Sequence, residues 1–295
     1  MAGVGTNILA LDYNNIQSSI GQVLGAGSGT YGYNQTVLSS QVAVNAKITA
    51  LQWQNLYTDL IAARTHQTGL NETSNLTYPT TSTVIKESDR AAYTVYASTI
   101  STNRLVTPPS GQATLDTYAT GTRTAAWNGT ITHTVVLTFS SVNNARGFFN
   151  AGGYIQIFAS ETPDVSNLKN NSWQTMLSNM GIIRMNYNAT TQTGTGGTTT
   201  AIGYTNLTTS PQLIFQKLTE TPTYSPNQYD IYANVDATGI QITFSIQFAD
   251  LSGQPNAPWG TDENITGTLT STVQGYRPTG SYVSIPAPSV SQSGP

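Results

Sequence analysis

The chain has no cysteine, only two histidines, and charged residues at just 8% of its 295 positions. An ordinary soluble protein carries about 25% charged residues. Each shortage excludes something. Without cysteine there are no disulfides and no thiolate ligands, and the redox compartment cannot be read. His66 and His133 are too few for a histidine-based metal centre, and neither has a carboxylate next to it in sequence. Eleven basic against 14 acidic residues give a formal charge of −3, which provides no basic patch for phosphate backbones and no polybasic membrane anchor. No apolar run approaches the ~20 residues that span a bilayer. The composition therefore predicts no nucleic acid, no membrane, no cofactor, no metal and no catalytic residue. It suits a building block better than an enzyme.

What is present is neutral polarity. Thr, Asn, Ser, Gln and Gly take the surface positions that Lys and Glu usually hold, and 38% hydrophobic content is enough for a real core. Association then depends on shape and apolar burial, with little electrostatic steering. The opening Met1-Ala-Gly-Val-Gly-Thr has neither a basic n-region nor an apolar stretch. It predicts a chain made in a cytoplasm and not exported by the general secretory route.

Residues 1–70 read as helical. Asp12 is the expected N-cap of a first helix whose stripe is Ile16, Ile20, Val23 and Leu24, with Gly25 at the C′ position. A glycine-rich loop, 25–33, follows. Thr49 and Gln52 form a capping box for a second helix carrying Trp53, Leu56, Tyr57 and Leu60, which ends near His66–Gly69. Two short helices with narrow stripes do not promise an independent core. They would pack against each other and then against something else, such as another subunit. Residues 71–120 read as a polar linker with edge strands, containing the charge cluster Lys86–Arg90 and the turn at Pro108-Pro109.

From about 121 the period becomes two. Ile131, His133, Val135, Leu137 and Phe139 share one face of a strand, and Ile240, Ile242, Phe244, Ile246 and Phe248 share one face of another. The second pairs with Tyr229–Val235 through the turn Asp236–Gly239. Further strands are expected at 154–159, 182–188, 212–218 and 267–276. One helix interrupts them, with Trp173, Met176, Leu177 and Met180 on one face and Gly181 at its end. Clean alternation with a polar outer face predicts a mainly β fold, an antiparallel β-sandwich over 121–284 with a small N-terminal α-helical region. The tail 285–295, rich in Pro and Ser, is expected to stay extended unless it docks on a neighbour.

The candidate chemistry is sparse. The glycine loop lacks the Gly-Lys-Ser/Thr ending of a phosphate-binding loop and follows a helix where a strand is required. A glycosidase needs two carboxylates about 5–10 Å apart; Asp230, Asp236, Asp250, Asp262 and Glu263 are the candidates, but Asp236 and Asp250 read as strand-end turn formers. Trp127 and Trp259 fall in loops, where aromatic rings could stack on sugars, whereas Trp53 and Trp173 read as core. The segment Asn144-Ala-Arg-Gly-Phe-Phe-Asn-Ala-Gly-Gly-Tyr154 is the most distinctive local feature. It reads as a hydrophobic plug and a tight turn, with Arg146 available for carbonyls or a carboxylate.

Together, the block Tyr13-Asn-Asn-Ile-Gln…Val23 to Tyr33, the block Ile48…Trp53-Gln-Asn-Leu56, His66-Gln-Thr-Gly69, Trp127-Asn-Gly and Arg146-Gly-Phe-Phe-Asn-Ala-Gly-Gly153 resemble virion structural proteins of tailed bacteriophages, especially those of cyanobacterial hosts. The resemblance touches most of residues 1–160; beyond that it is one of composition. It implies a non-enzymatic particle component, localised in the virion, with no catalytic residues to carry over. On that footing the expected partners are other virion proteins and further copies of the chain in a homo-oligomer, with host surface glycan a further possibility. The expected contact surface is Gly25, Gly27, Gly29, Tyr31 and Tyr33, with Trp53 and Tyr57 as anchors. Tail or neck, as a fibre-like or baseplate-associated part, is the preferred address. A capsid decoration protein, a receptor-binding module and a polysaccharide-degrading enzyme stay open as rivals.

Overall fold

A computed structural model describes residues 8–71, 76–253 and 264–295. The chain divides into two units. One comprises Met1–Thr114, Asn143–Gly153 and Arg277–Pro286; the other comprises Leu115–Val142, Tyr154–Tyr276 and Ala287–Pro295.

The first unit is helical. Helix α1 (Ala10–Leu24) places Tyr13, Ile16, Ile20, Val23 and Leu24 in the core at helical spacing. Its N-cap is Leu9, and Asp12 sits at N3, from where its carboxylate accepts the Leu9 N–H at 3.1 Å. Asp12 thus stabilises the helix start from inside rather than capping it. Gly25 closes α1 with φ −68°, so it is not the left-handed C′ glycine expected. Helix α2 (Ala50–Thr68) opens on the Thr49–Gln52 capping box and ends on Gly69 at φ 74°, as the sequence predicts.

Helix α3 (Glu87–Thr102) corrects the reading of 71–120 as linker and edge strands. The Lys86–Arg90 charge cluster is its first turn, with Glu87 and Asp89 at the positive end of the helix dipole. Tyr93, Tyr96, Ala97 and Ile100 form its buried stripe. With this third helix the core closes within the unit. Trp53 stands edge-on between Tyr13 and Tyr93, with ring centroids at 5.3 and 5.1 Å. Burial of each such side chain contributes roughly 1.5–3 kcal/mol. Buried Asp59 of α2 holds the passing chain by accepting the N–H groups of Leu38 and Ser39.

The second unit contains two antiparallel sheets, in agreement with the predicted sandwich. The five-stranded sheet has the order β1-β10-β3-β4-β5, from Ala113–Arg123, Thr268–Pro278, Tyr154–Thr162, Ile183–Met185 and Thr190–Gln192. The six-stranded sheet has the order β11-β2-β9-β8-β7-β6, from Ser289–Ser293, Gly129–Thr138, Gln241–Asp250, Gln228–Val235, Gln212–Leu218 and Gly197–Thr199. The inward faces of β2 and β9 are those the alternation marks: Val135, Leu137, Ile242, Phe244, Ile246 and Phe248 are fully buried. Helix α5 (Leu168–Met180) covers β3 and buries Trp173, Met176, Leu177 and Met180.

His133 joins the two sheets. Its Nδ1 lies 2.9 Å from the Ser271 hydroxyl on β10, and its Nε2 lies 3.0 Å from the Gln292 side chain on β11. Burial lowers the imidazole pKa, so the ring works here as a neutral hydrogen-bonding spacer. Gln292 belongs to the tail that was expected to remain irregular. Residues 289–293 instead pair with β2 of the same chain, which satisfies their backbone without a neighbour. Two predicted boundaries also shift. Segments 143–153 and 277–286 fall within the span read as sandwich but belong to the helical unit.

Candidate functional site

The two most distinctive sequence blocks meet in the helical unit. After α1 the chain doubles back, with the N–H groups of Tyr33, Asn34 and Gln35 bonding to the carbonyls of Val23, Gly25 and Leu24 at 2.7–2.8 Å. Two glycines make that reversal possible. A Cβ on Gly27 (φ 57°) would collide with the Tyr31 carbonyl, and one on Gly32 (φ 107°) with that of Ala26. Only glycine tolerates both the angle and the approach.

Helix α4 (Val142–Asn150), which contains Phe148 and Phe149, lies against this loop. The Phe-Phe segment is therefore helical, while the turn expected after it is present at Gly152 (φ 78°). Arg146 donates to the Gly27 carbonyl at 2.6 Å and to Asn143 at 2.8 Å. Asn150 donates to the Gly29 carbonyl at 3.2 Å, and Asn34 donates to Asn144 at 2.6 Å. From α3's side, Arg104 donates to the Thr30 carbonyl at 3.0 Å and stacks 4.3 Å over the Tyr31 ring. Both guanidiniums thus hold backbone carbonyls, the second of the two roles open to Arg146 being unused. The arrangement is a clamp on a glycine loop, and it leaves Gly27, Ser28 and Gly29 as its exposed tip.

The expected contact residues divide accordingly. Gly27 and Gly29 are exposed, Gly25 and Tyr31 are half-buried, and Tyr57 is half-buried with its ring edge-on to Tyr78. Tyr33 and Trp53 are corrections: at 1% and 4% exposure they lie in the unit's own core and cannot anchor a partner. Tyr33 donates its hydroxyl to the Arg104 carbonyl at 2.7 Å and receives the Gln67 amide at 3.1 Å. Arg104 and α3 escaped the sequence reading, although Tyr93, Tyr96, Ala97 and Ile100 carry a legible i, i+3, i+4, i+7 signal.

His66 completes the clamp from below. It is fully buried against Tyr33, and its Nε2–H donates to the Ala151 carbonyl at 2.9 Å. Burial lowers its pKa from 6.5 to about 4, partly offset by that carbonyl. The sign follows directly. Below pH 6.5 the unfolded chain takes up a proton that the folded chain refuses, so stability declines until the folded ring also titrates near 4. The expected loss between pH 7 and 4 is ~3 kcal/mol from this residue. NMR titration of the His66 ring checks it, and a midpoint near 6.5 would contradict the burial argument.

The carboxylates weighed for hydrolysis have structural duties where they are described. Asp236 accepts the N–H groups of Ile240 and Gln241 at 2.9 Å in the hairpin turn, which holds its carboxyl at about 2. Asp230 receives the amides of Gln216 and Gln228 at 3.0 and 2.8 Å. Asp250 is more than the turn former expected: it forms a fully buried ion pair with Lys169 at 2.7 Å. Asp262, Glu263 and Trp259 lie outside the described residues. Trp127 is not an open ring but is 5% exposed, 4.8 Å edge-on to Trp173, so none of the described tryptophans offers a sugar platform.

Among the described residues no three His, Cys, Asp or Glu side chains cluster as a metal-ligand group, and no helix is long and apolar enough to cross a membrane. Compared with protein-family models, curated proteins and solved structures, the chain finds no match.

Proposed function

We propose that this chain is a non-enzymatic structural protein of a tailed-phage particle, built into the tail or neck as a fibre-like or baseplate-associated component. The observation that carries the reading is the clamp. The glycine loop and the Phe-Phe-Asn-Ala-Gly-Gly segment, the two blocks most like virion proteins, interlock through Arg146, Asn150 and Asn34. Every polar head in that contact goes to a backbone carbonyl or an amide, which makes a rigid presentation device. Its neutral, Thr- and Gln-rich outer strand faces suit many small contacts between copies.

Docking then falls to surface that is free. The helical unit exposes Leu9, Leu11, Leu51, Val84 and Val95, each between 59% and 76% accessible. These residues take the anchoring role for which Tyr33 and Trp53 are too deep, and the tip Gly27–Gly29 allows close backbone approach.

Quantitative mass spectrometry of purified particles tests the address. On the order of tens of copies per particle fits tail or neck, and hundreds would move the protein to the capsid as a decoration protein. A Leu11→Glu, Leu51→Glu double variant should fold normally and fail to enter particles. Normal incorporation would remove this docking surface, and absence of the chain from particles would remove the virion reading altogether.

A further inference from the structure

Glu161 is the one buried carboxylate among the described residues for which the fold supplies no counterpart. It lies near the end of β3 on the inward face, in line with Ile155, Ile157 and Ala159, and is 4% exposed. Neither carboxylate oxygen has a hydrogen-bond partner. A buried ionised group normally has its charge paired or bound to a metal, and an orphan of this kind calls for an ion or water.

The surroundings supply oxygen, not cations. Gly267, opposite the strand end at φ 127°, leaves a gap where a side chain would stand; a Cβ there would touch the Thr162 carbonyl oxygen and lie 2.6 Å from Glu161 Oε1. The Glu161 carboxylate and the Thr162 carbonyl therefore converge on one point beside that glycine. The neighbouring residue, Thr266, donates its hydroxyl to Asp164 Oδ1 at 2.5 Å. Asn170 of α5 fixes that corner by accepting the Thr266 N–H at 3.1 Å and donating to the Val165 carbonyl at 3.0 Å. Lys169, the nearest lysine in sequence, is engaged with Asp250. Asp164 is exposed, so the corner is open to solvent on its side.

We propose that Glu161 and Asp164, with the Thr162 carbonyl, form a binding site for a hard divalent cation, calcium. Calcium accepts carboxylate, carbonyl and water oxygens at 2.3–2.6 Å in flexible geometry, so two carboxylates and one carbonyl suffice with water in the remaining positions. Magnesium demands stricter octahedral geometry and sheds its water reluctantly. With so few protein ligands the affinity belongs at the weak end, about 1 mM. Bound calcium would tie the end of β3 to the loop entering α5 and compensate the buried charge. The site does not depend on the virion reading.

The test is thermal unfolding of the full chain at pH 8, first stripped with a chelator and then titrated with calcium or magnesium chloride. About 10 mM calcium should raise Tm by about 3 °C, with magnesium giving much less. Glu161→Gln and Asp164→Asn should each abolish most of the rise, and isothermal titration should give one calcium per chain. Should Glu161→Gln fail to fold, Asp164→Asn at its exposed position supplies the same readout. No calcium response in the unaltered chain, or an undiminished response in Asp164→Asn, would overturn the site. A Glu161 that simply stays protonated would show itself as stability that falls with rising pH and ignores calcium.

Discussion

Replacing Lys169 with methionine should cost this protein about 3–5 kcal/mol. Lys169 and Asp250 are both fully buried, with Nζ and Oδ2 2.7 Å apart. Asp250 also receives the Asn227 side-chain amide at 2.7 Å, while the Asn227 carbonyl oxygen accepts the N–H groups of Leu251 and Ser252 at 2.7 Å. Deleting the ammonium therefore leaves a carboxylate that is desolvated, incompletely compensated and fixed at a strand end. The pair runs beside the contact of Trp173 with Phe248, whose rings are 6.5 Å apart, because Lys169 lies one turn before Trp173 on α5 and Asp250 lies two residues after Phe248 on β9. The measurement is urea unfolding followed by tryptophan fluorescence. A second variant separates charge from packing: Lys169→Met with Asp250→Asn removes both charges and should recover most of the loss, since neutral replacement of a buried pair is often harmless. A double variant as unstable as the single one would mean that the lysine stem, not the ion pair, holds α5.

How much of this was legible in the sequence depended on the range of the interaction. The period-two runs at Ile131–Phe139 and Ile240–Phe248 report a half-buried sheet directly, because alternate side chains must leave opposite faces. The Thr49–Gln52 box and Gly69 were likewise legible, since caps are satisfied within one turn. Helix α3 was hidden by a misjudged cue: the Lys86–Arg90 cluster looks like solvated loop, yet acidic residues in a first turn are what a helix dipole favours. The route of residues 143–153 into the helical unit could not be seen at all, because nothing local says that Arg146 will reach the Gly27 carbonyl 119 residues away. For the same reason Trp53 and Tyr33 passed for surface anchors. An aromatic side chain on a narrow stripe has the same sequence signature whether its cover is another molecule or a third helix of its own chain, and α3 is that cover. At the clamp, the residue types were readable, since Arg146 and the glycines stand out; their juxtaposition was not.

Gly152→Ala should be among the most damaging single substitutions in the helical unit, at about 4 kcal/mol. The turn that ends α4 is drawn tight by the N–H groups of Gly152 and Gly153, which bond to the carbonyls of Phe149 and Phe148 at 3.1 and 3.0 Å. That geometry sets φ at 78°, where a residue with a Cβ costs about 1–2 kcal/mol before any neighbour is considered. The neighbour is then backbone: the new methyl would overlap the Val106 carbonyl oxygen and crowd Thr107 Cα at 2.8 Å. A flexible side chain could swing away from such a clash, but a carbonyl can yield only by moving the chain that carries it, which adds a further ~1–3 kcal/mol. Displacement would pass to Ala151, whose carbonyl holds buried His66, and to Asn150, whose amide holds the Gly29 carbonyl. The substitution should therefore loosen the glycine loop as well as the turn, and amide hydrogen exchange at Tyr33 and Asn34 should accelerate along with that at Gly152. Gly111→Ala is the matched control, because nothing lies within 4 Å of its Cβ position and its φ is not in the left-handed region. If Gly152→Ala unfolded at the same urea concentration as Gly111→Ala, the close approach of Val106 would not hold in solution, and the clamp would lose one of its fixed walls.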